Sequence, residues 1–86
     1  MKKVIAFYLK NCPHCKKAFK ILDELKSQKP KYSKVEIKYI EETKNPEIAG
    51  EYDYYYVPTF YVDGVKIHEG VPNYEKIEKV LQEAIK

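Results

Sequence analysis

The feature that most constrains this chain is a pair of cysteines, Cys12 and Cys15, placed between a strand pattern and a helix pattern. Residues 3–9 form a nearly unbroken apolar run, which is typical of a strand buried on both faces at the centre of a sheet. Pro13 suits the first position of a helix, because the N–H that a proline lacks would have no partner there. The two cysteines therefore lie where a central strand turns into a helix.

The segment after Pro13 has the period of an amphipathic helix. Its apolar residues recur every three or four positions between lysines and acids, which predicts a helix of about 15 residues. The apolar positions are Cys15, Ala18, Phe19, Leu22 and Leu25. A stop signal follows at Lys29, Pro30 and Lys31.

The middle of the chain predicts a second strand and a short helix. Val35, Ile37 and Tyr39 alternate with charged residues, which is the period of a strand. Asn45 and Pro46 are the residue types preferred at the cap and first position of a helix.

The last third predicts a hairpin followed by a helix. Asp63 and Gly64 join two β-favouring runs, residues 59–62 and 65–68, and Asp-Gly between such runs is one of the strongest hairpin signals. Asn73 can cap a final helix. Its apolar positions are Tyr74, Ile77, Val80, Leu81, Ala84 and Ile85.

The predicted order of elements is β-α-β-α-β-β-α, without an internal repeat or a linker between domains. A strand, a helix and a parallel strand close as a right-handed crossover, and the hairpin adds two antiparallel strands to the same sheet. We therefore predict one domain over residues 1–86, an α/β three-layer sandwich around a four-stranded mixed sheet.

Charge and composition narrow the range of partners. The net charge of +3 comes from 16 lysines and 13 acids mixed along the chain, with no arginine for bidentate contacts to bases or phosphates. We therefore expect no nucleic-acid partner. No apolar run approaches the ~20 residues of a membrane span, and the apolar run at the start is too short for a signal peptide. We expect a cytoplasmic protein with no membrane partner.

The position of Cys12 predicts a reactive sulfur. The unpaired N–H groups and the positive end of the dipole at the start of a helix stabilise an anion, so a larger share of this thiol is expected as thiolate. Cys15 lies one turn further on and can reach Cys12 to release a mixed disulfide. We predict Cys12 as the nucleophile and Cys15 as the resolving thiol, with Pro13 and His14 between them in the catalytic motif.

Alternatives stay open at this motif. His14 either donates a hydrogen bond or positive charge near the thiolate, or is an exposed residue of the first turn with no strong effect. A zinc site completed by His14 or His68 is disfavoured because a structural site normally needs four ligands from two spaced pairs. We expect no metal. An inert pair that only packs is a further alternative.

These residues resemble the thioredoxin-like proteins, and among them the glutaredoxins and small glutaredoxin-like reductases. The resemblance covers essentially the whole chain, from the first strand through C-P-H-C to Val57, Pro58, Thr59 and Phe60 and the hairpin. It implies the thioredoxin-like form of the sandwich, thiol-disulfide oxidoreductase activity and a cis peptide bond before Pro58. It also implies that Val57, Pro58 and Thr59 bind substrate, with the backbone of Val57 pairing with an extended chain.

The chain departs from the glutaredoxin pattern at positions that the resemblance assigns to glutathione. Lys10 lies one place later than the glutaredoxin lysine, and Glu69 and Gly70 stand where those proteins carry Gly-Gly followed by acids. We keep Lys10, Glu69 and Gly70 as candidate substrate-binding residues, although a glutamate there would repel a carboxylate. The tyrosines that precede Val57 either form a recognition surface or pack under the second helix, and we favour packing for Tyr52 and Tyr56.

The leading hypothesis is an enzyme that exchanges a dithiol with the disulfides of proteins or small molecules, or with glutathione mixed disulfides. We expect no permanently bound cofactor, a monomer, and either a reductase or glutathione as the electron donor. The alternatives are a glutathione-dependent glutaredoxin and, from another class, a metal-binding or redox-inert interaction module on the same fold.

Overall fold

The computed structural model describes all residues, 1–86, and its elements follow the predicted order. The helices and strands are β1 (Val4–Tyr8), α1 (Pro13–Gln28), β2 (Ile37–Glu41), α2 (Pro46–Ala49), β3 (Thr59–Val62), β4 (Val65–Glu69) and α3 (Tyr74–Ala84). A single 3₁₀ turn, Pro30–Tyr32, follows α1 and was not predicted. None of the helices has the length and apolar character needed to cross a membrane.

The four strands form one mixed sheet in the order β2-β1-β3-β4. β1 pairs with β2 in parallel and with β3 in antiparallel fashion, and β3 and β4 form the antiparallel hairpin. Helix α1 is therefore the crossover between the two parallel strands. The predicted central position of β1 is confirmed, and it places the end of β1 and the start of α1 at one edge of the sheet.

The two faces of the sheet are covered unequally. One face packs against α1 and α3 in a core of 14 buried residues. The other face carries a smaller cluster of Phe7, Ile40 and Tyr61, against which α2 and two tyrosines, Tyr52 and Tyr54, pack. The predicted three-layer α/β sandwich is confirmed. Its second outer layer is thin, because it consists of the short helix α2 and the two tyrosines.

The hairpin and the last helix form for the predicted reasons. Asp63 (φ 47°) and Gly64 (φ 81°) both have positive φ, as a two-residue type I′ turn requires. The side-chain oxygen of Asn73 accepts the N–H of Lys76 at 2.8 Å and so caps α3.

Three details of the predicted strand β2 and helix α2 differ in the structure. Strand β2 begins at Ile37 rather than Val35, and Tyr39 is 46% exposed instead of facing the core. The reason is that β2 is an edge strand, where the ring of Tyr39 reaches only the rim of α1 and packs edge-on against Phe19 at 4.9 Å. Asn45 stands at the cap position of α2, but its side chain donates to the carbonyl of Glu41 instead.

Candidate functional site

A tight turn connects the end of β1 to Cys12 at the start of α1. The N–H of Cys12 donates to the carbonyl of Leu9 at 3.3 Å, and Asn11 adopts a φ of 68°. This left-handed conformation disfavours most side chains, and asparagine is one of the few residues besides glycine that visits it routinely. The turn therefore depends on Asn11, which the sequence analysis did not single out.

Cys12 is itself the N-cap of α1. Its backbone is extended, and its sulfur accepts the N–H of Cys15 at 3.2 Å. The first turn of α1 contains no acid. One of the unpaired N–H groups at the helix start is thus directed at the sulfur, where it stabilises a negative charge.

Cys15 has the opposite environment. It is 1% exposed, whereas Cys12 is partly exposed, and both carry free thiols. Burial raises the pKa of the Cys15 thiol to about 12, with a further contribution from its interaction with Cys12. Two cysteines one turn apart therefore differ sharply in their access to solvent.

The segment before β3, here named the 53–58 loop, forms the other side of the site. The peptide bond between Val57 and Pro58 is cis, as the resemblance implies. The carbonyl of buried Pro58 accepts the N–H of Gly70 at 2.9 Å. The N–H and carbonyl of Val57 take part in no hydrogen bond within the protein, so both remain available to a second chain.

Thr59 and Gly70 secure this loop rather than face solvent. Thr59 is fully buried at the start of β3, and its hydroxyl donates to the carbonyl of Tyr56. Gly70 has a φ of 92°, which a residue with a side chain rarely adopts. Thr59 and Gly70 therefore fix the orientation of the backbone N–H and carbonyl of Val57.

Glu69 is turned toward the loop. One oxygen of its carboxylate accepts the N–H groups of Tyr55 at 2.5 Å and Tyr56 at 2.9 Å, and the other accepts from the ammonium of Lys66 at 2.8 Å. The Glu69 carboxylate, a candidate for binding substrate, therefore already accepts three hydrogen bonds from within the protein.

The two sides meet in an open groove of about 330 Å³. Its lining residues are His14, Tyr56, Val57, Gly70 and Val71. Tyr56 is 70% exposed, so the packing expected for it was wrong, whereas Tyr52 packs against Phe7 with ring centroids 4.8 Å apart, as expected. The groove is mostly apolar and runs from the start of α1 to the free backbone of Val57.

The remaining candidates do not converge on the sulfur. The side chain of His14 is exposed and forms no hydrogen bond, and exposed Lys10 forms no ion pair. Pro13 occupies the first position of α1, as predicted.

His68 forms no hydrogen bond with either cysteine. Its ring is buried and is within hydrogen-bond distance of the carbonyl of Gly70, at 2.9 Å. Burial lowers the pKa of this imidazole. The fold brings together no group of three or more His, Cys, Asp or Glu side chains that could hold a metal ion.

A second acid near the site escaped the sequence analysis. The N–H of Glu42 donates to the carbonyl of Tyr8 at the end of β1, and its carboxylate accepts the hydroxyl of Tyr54 at 3.0 Å. The negative charge of Glu42 contributes a small part of the raised pKa of Cys15. No local motif indicates a role for Glu42, because only the parallel pairing of β1 and β2 brings it to the site.

Comparison with known proteins gives a consistent result. A family model described as a thioredoxin domain matches residues 1–82. The thioredoxin of Methanocaldococcus jannaschii is 36% identical over 83 residues, which cover 96% of this chain and 95% of that protein.

Solved structures share the fold. The oxidised thioredoxin from Plasmodium falciparum superposes with a TM-score of 0.72 at 17% identity, over 99% of this chain and 82% of that one. Desulfothioredoxin from Desulfovibrio vulgaris Hildenborough gives a TM-score of 0.68 at 26% identity, over 94% of this chain and 79% of the other. With its cysteine pair at the start of α1, the chain belongs to the thioredoxin family and is a thiol-disulfide oxidoreductase.

Proposed function

We propose that Cys12 attacks the disulfides of peptide and protein substrates and that Cys15 completes their reduction. The observation that carries this assignment is the sulfur of Cys12 at the cap of α1, accepting a helix N–H at 3.2 Å, with buried Cys15 one turn behind it. The thiolate is the form that attacks a disulfide, and the start of a helix favours it.

The exchange has two balanced steps. The thiolate of Cys12 attacks one sulfur of the substrate, the substrate S–S bond breaks, and the released thiolate takes up a proton. Cys15 then loses its proton and attacks the sulfur of Cys12, which expels the second substrate thiolate and leaves a Cys12–Cys15 disulfide. Two electrons pass from the protein to the substrate.

The environment of Cys15 supports this order of events. Its pKa of about 12 keeps the thiol protonated while Cys12 is free. Once the sulfur of Cys12 is bonded to substrate it no longer carries a negative charge, and its share of the raised pKa of Cys15 disappears. Formation of the mixed disulfide thus makes the resolving thiol easier to ionise.

The free backbone of Val57 supports an extended substrate. A peptide lying in the groove can pair with the N–H and carbonyl of Val57 as an added strand, which gives affinity independent of sequence. The exposed ring of Tyr56 and the side chain of Val71 supply apolar contact beside it. We propose that, of the segment Val57, Pro58 and Thr59, the backbone of Val57 binds substrate, while buried Pro58 and Thr59 hold it in position.

The electron donor is a second part of the proposal. We infer that a reductase protein, rather than glutathione, restores the dithiol, because the carboxylate of Glu69 occupies the position facing the loop and repels a second carboxylate. Coupled assays with a thioredoxin reductase and with glutathione separate the two donors, and a rate with glutathione equal to that with the reductase would reverse this choice.

Trapping the intermediate tests the proposed roles. The Cys15→Ser variant should accumulate a mixed disulfide on Cys12 when mixed with a peptide disulfide, as seen by intact mass and peptide mapping. The matched Cys12→Ser variant should form no adduct and lose roughly 10³-fold or more in rate. Serine is a good helix cap, so Cys12→Ser should keep the fold. Full activity of Cys12→Ser would overturn the assignment.

A further inference from the structure

The first quarter of the chain is strongly basic, and the fold places much of this charge beside the cysteines. Residues 1–22 contain six lysines and no acid. Four of these lysines lie in the turn after β1 and in the first two turns of α1, and all four are exposed: Lys10, Lys16, Lys17 and Lys20. None of them forms an ion pair within the protein. Their charge is therefore free to act on another molecule.

Three of the lysines share the exposed side of the first two turns of α1, and we name Lys16, Lys17 and Lys20 the lysine face. Lys20 lies four residues after Lys16 and three after Lys17, so the side chains are neighbours on the helix. Like charges at these spacings repel one another, and positive charge near the start of a helix opposes its dipole. The first turn contains no acid that would offset this repulsion. Folding alone does not favour such an arrangement, which indicates a role in binding a partner.

The lysine face adjoins the groove beside Cys12. Lys17 and Lys20 line a second cavity, of about 300 Å³, together with Tyr74 at the start of α3. On α1, Lys17 lies one turn beyond His14, which lines the groove. On the other side Tyr74 lies three residues beyond Val71, also a groove residue, and both are exposed. The groove and the second cavity therefore follow one another along α1.

The acids nearest to the lysine face do not pair with it. Asp23 and Glu24 lie about one turn after Lys20, and Glu24 also lines the second cavity, but neither forms an ion pair with a lysine. Glu75, in the first turn of α3, is exposed and does not line the cavity. Carboxylates of a partner would supply the counter-charges that the lysine face lacks.

The opposite face of the molecule carries the opposite charge. Residues 41–53, which include α2, contain five acids and one lysine. Helix α2 packs on the other side of the sheet from α1. The protein is therefore positive beside the cysteines and negative behind the sheet, and this separation of charge turns its cysteine side toward an approaching acidic partner.

We propose that the lysine face is a docking surface for partner proteins that carry acidic side chains next to their reactive disulfide. The disulfide of the partner reaches Cys12 in the groove, while its carboxylates lie against Lys17 and Lys20 one to two turns further along α1. The inference rests on the proposed function, since it concerns partners of the same exchange. It adds selection by charge, which the backbone of Val57 does not supply because it pairs with any sequence.

Two matched peptide disulfides test this preference. Both peptides contain the same cysteine and spacer, and one then carries a run of aspartates where the other carries asparagines. Each is mixed with reduced full-length protein, and the readout is the ratio of the two second-order rate constants, acidic over neutral. The ratio should be roughly tenfold at low ionic strength and approach unity at about 1 M salt, which screens the charges. A ratio near unity at low ionic strength would overturn the proposal.

Two double variants test whether the lysine face causes the preference. Lys17→Gln combined with Lys20→Gln should lower the ratio about threefold or more, because two charges that attract the aspartates are lost. The control combines Lys34→Gln with Lys38→Gln, two exposed and unpaired lysines near the start of β2, at the end of the sheet opposite the cysteines. It changes the net charge equally and should leave the ratio nearly unchanged. Equal losses in the two double variants would refute a local docking surface.

Alkylation shows whether the lysines act on the partner or on the sulfur. Iodoacetamide is uncharged, so its rate of reaction with Cys12 reports the thiolate and not the attraction of an acidic molecule. The rate should be the same in the wild-type protein and in the variant with glutamine at positions 17 and 20. A fall as large as that for the acidic peptide would mean that the lysines activate the thiolate, and the docking surface would be refuted.

A binding measurement separates this inference from the exchange chemistry. The aspartate peptide with serine in place of its cysteine should shift the backbone amide signals of residues 16–20 and of Tyr74 in an NMR titration at low ionic strength. The matching asparagine peptide should not. This result needs no disulfide to be reduced, so it tests the lysine face even if the proposed function fails. Equal shifts with the two peptides, or none with either, would contradict the proposal.

Discussion

The two sides of the candidate site are held together in different ways. On the cysteine side, the hydrogen bonds run between residues three or four apart, from Cys12 to Leu9 and from Cys15 and Lys16 back to Cys12. On the loop side, most anchors of the 53–58 loop come from distant residues, with Glu69 and Lys66 in β4 as the main ones, and the hydroxyl of Thr59 adds one local contact.

This difference separates chemistry from recognition. The hydrogen bonds that hold Cys12 at the start of α1 come from its own turn, so we expect changes in the loop or in β4 to move its sulfur little. The 53–58 loop, by contrast, is held by side chains of β4, by Tyr61 and by Glu42, so we expect changes in those residues to reach Val57. We therefore expect substitutions on the cysteine side to act on rate and stability locally, and those on the loop side to act on substrate binding.

Replacing Asn11 tests whether the cysteine side is local. Asn11→Ala should lower the free energy of unfolding by about 1–2 kcal/mol, because alanine disfavours the left-handed conformation. Asn11→Gly, which accepts this conformation freely, is the control and should be at least as stable as the wild-type protein. Urea unfolding measures both, and equal losses in the two variants would show that the turn does not depend on φ.

The hydroxyl of Tyr54 tests whether the loop side depends on distant partners. Tyr54→Phe keeps the ring stacked on Phe7, with centroids 4.8 Å apart, but removes the hydrogen bond to Glu42. We expect a loss of about 1 kcal/mol in stability, together with shifted amide signals along residues 53–58.

The control for this substitution is its neighbour. Tyr55 is 86% exposed and its hydroxyl forms no hydrogen bond, so Tyr55→Phe should change stability by less than about 0.5 kcal/mol. If both tyrosine variants lost the same stability, the bond to Glu42 would contribute nothing specific.

Titration of Glu69 gives the smallest and most local effect. Its pKa in the folded protein is about 2, below the ordinary value of 4.5, so its contribution to stability is complete above pH 4.5 and is lost as the pH falls from 4.5 toward 2. The amide signals of Tyr55 and Tyr56 should move with a midpoint near 2 and should not move in Glu69→Gln. A midpoint near 4.5 would mean that the Lys66 ammonium and the N–H groups of Tyr55 and Tyr56 do not hold the carboxylate.

The sequence was sufficient where short-range rules decide the structure. Residue type and spacing within a few positions were enough to predict three features: the helix cap at Asn73, the turn at Asp63 and Gly64, and the junction that holds Cys12 and Cys15. The central place of β1 followed from its nearly unbroken apolar run, because a strand buried on both faces lies inside a sheet.

The same reasoning failed where distant elements meet. The bulge in β4 that turns Glu69 toward the loop leaves no mark in the local pattern, and the approach of Glu42 to Cys15 depends on the register between β1 and β2. Asn11 could have been found, since an asparagine just before a helix is a candidate for positive φ. The exposed position of Tyr56 could not have been predicted, because the hydrophobic pattern does not show which tyrosines of a cluster pack against the core.

The central claim is that Cys12 is the reactive sulfur while Cys15 is held back by burial, and the rate of alkylation at each cysteine tests it most directly. Reduced protein is treated with iodoacetamide over a range of pH, and peptide mapping follows the modification of each residue. We predict that near neutral pH Cys12 is modified at least about tenfold faster than Cys15, which reacts only in strongly alkaline solution. Equal rates at the two cysteines, or faster modification of Cys15, would contradict the account.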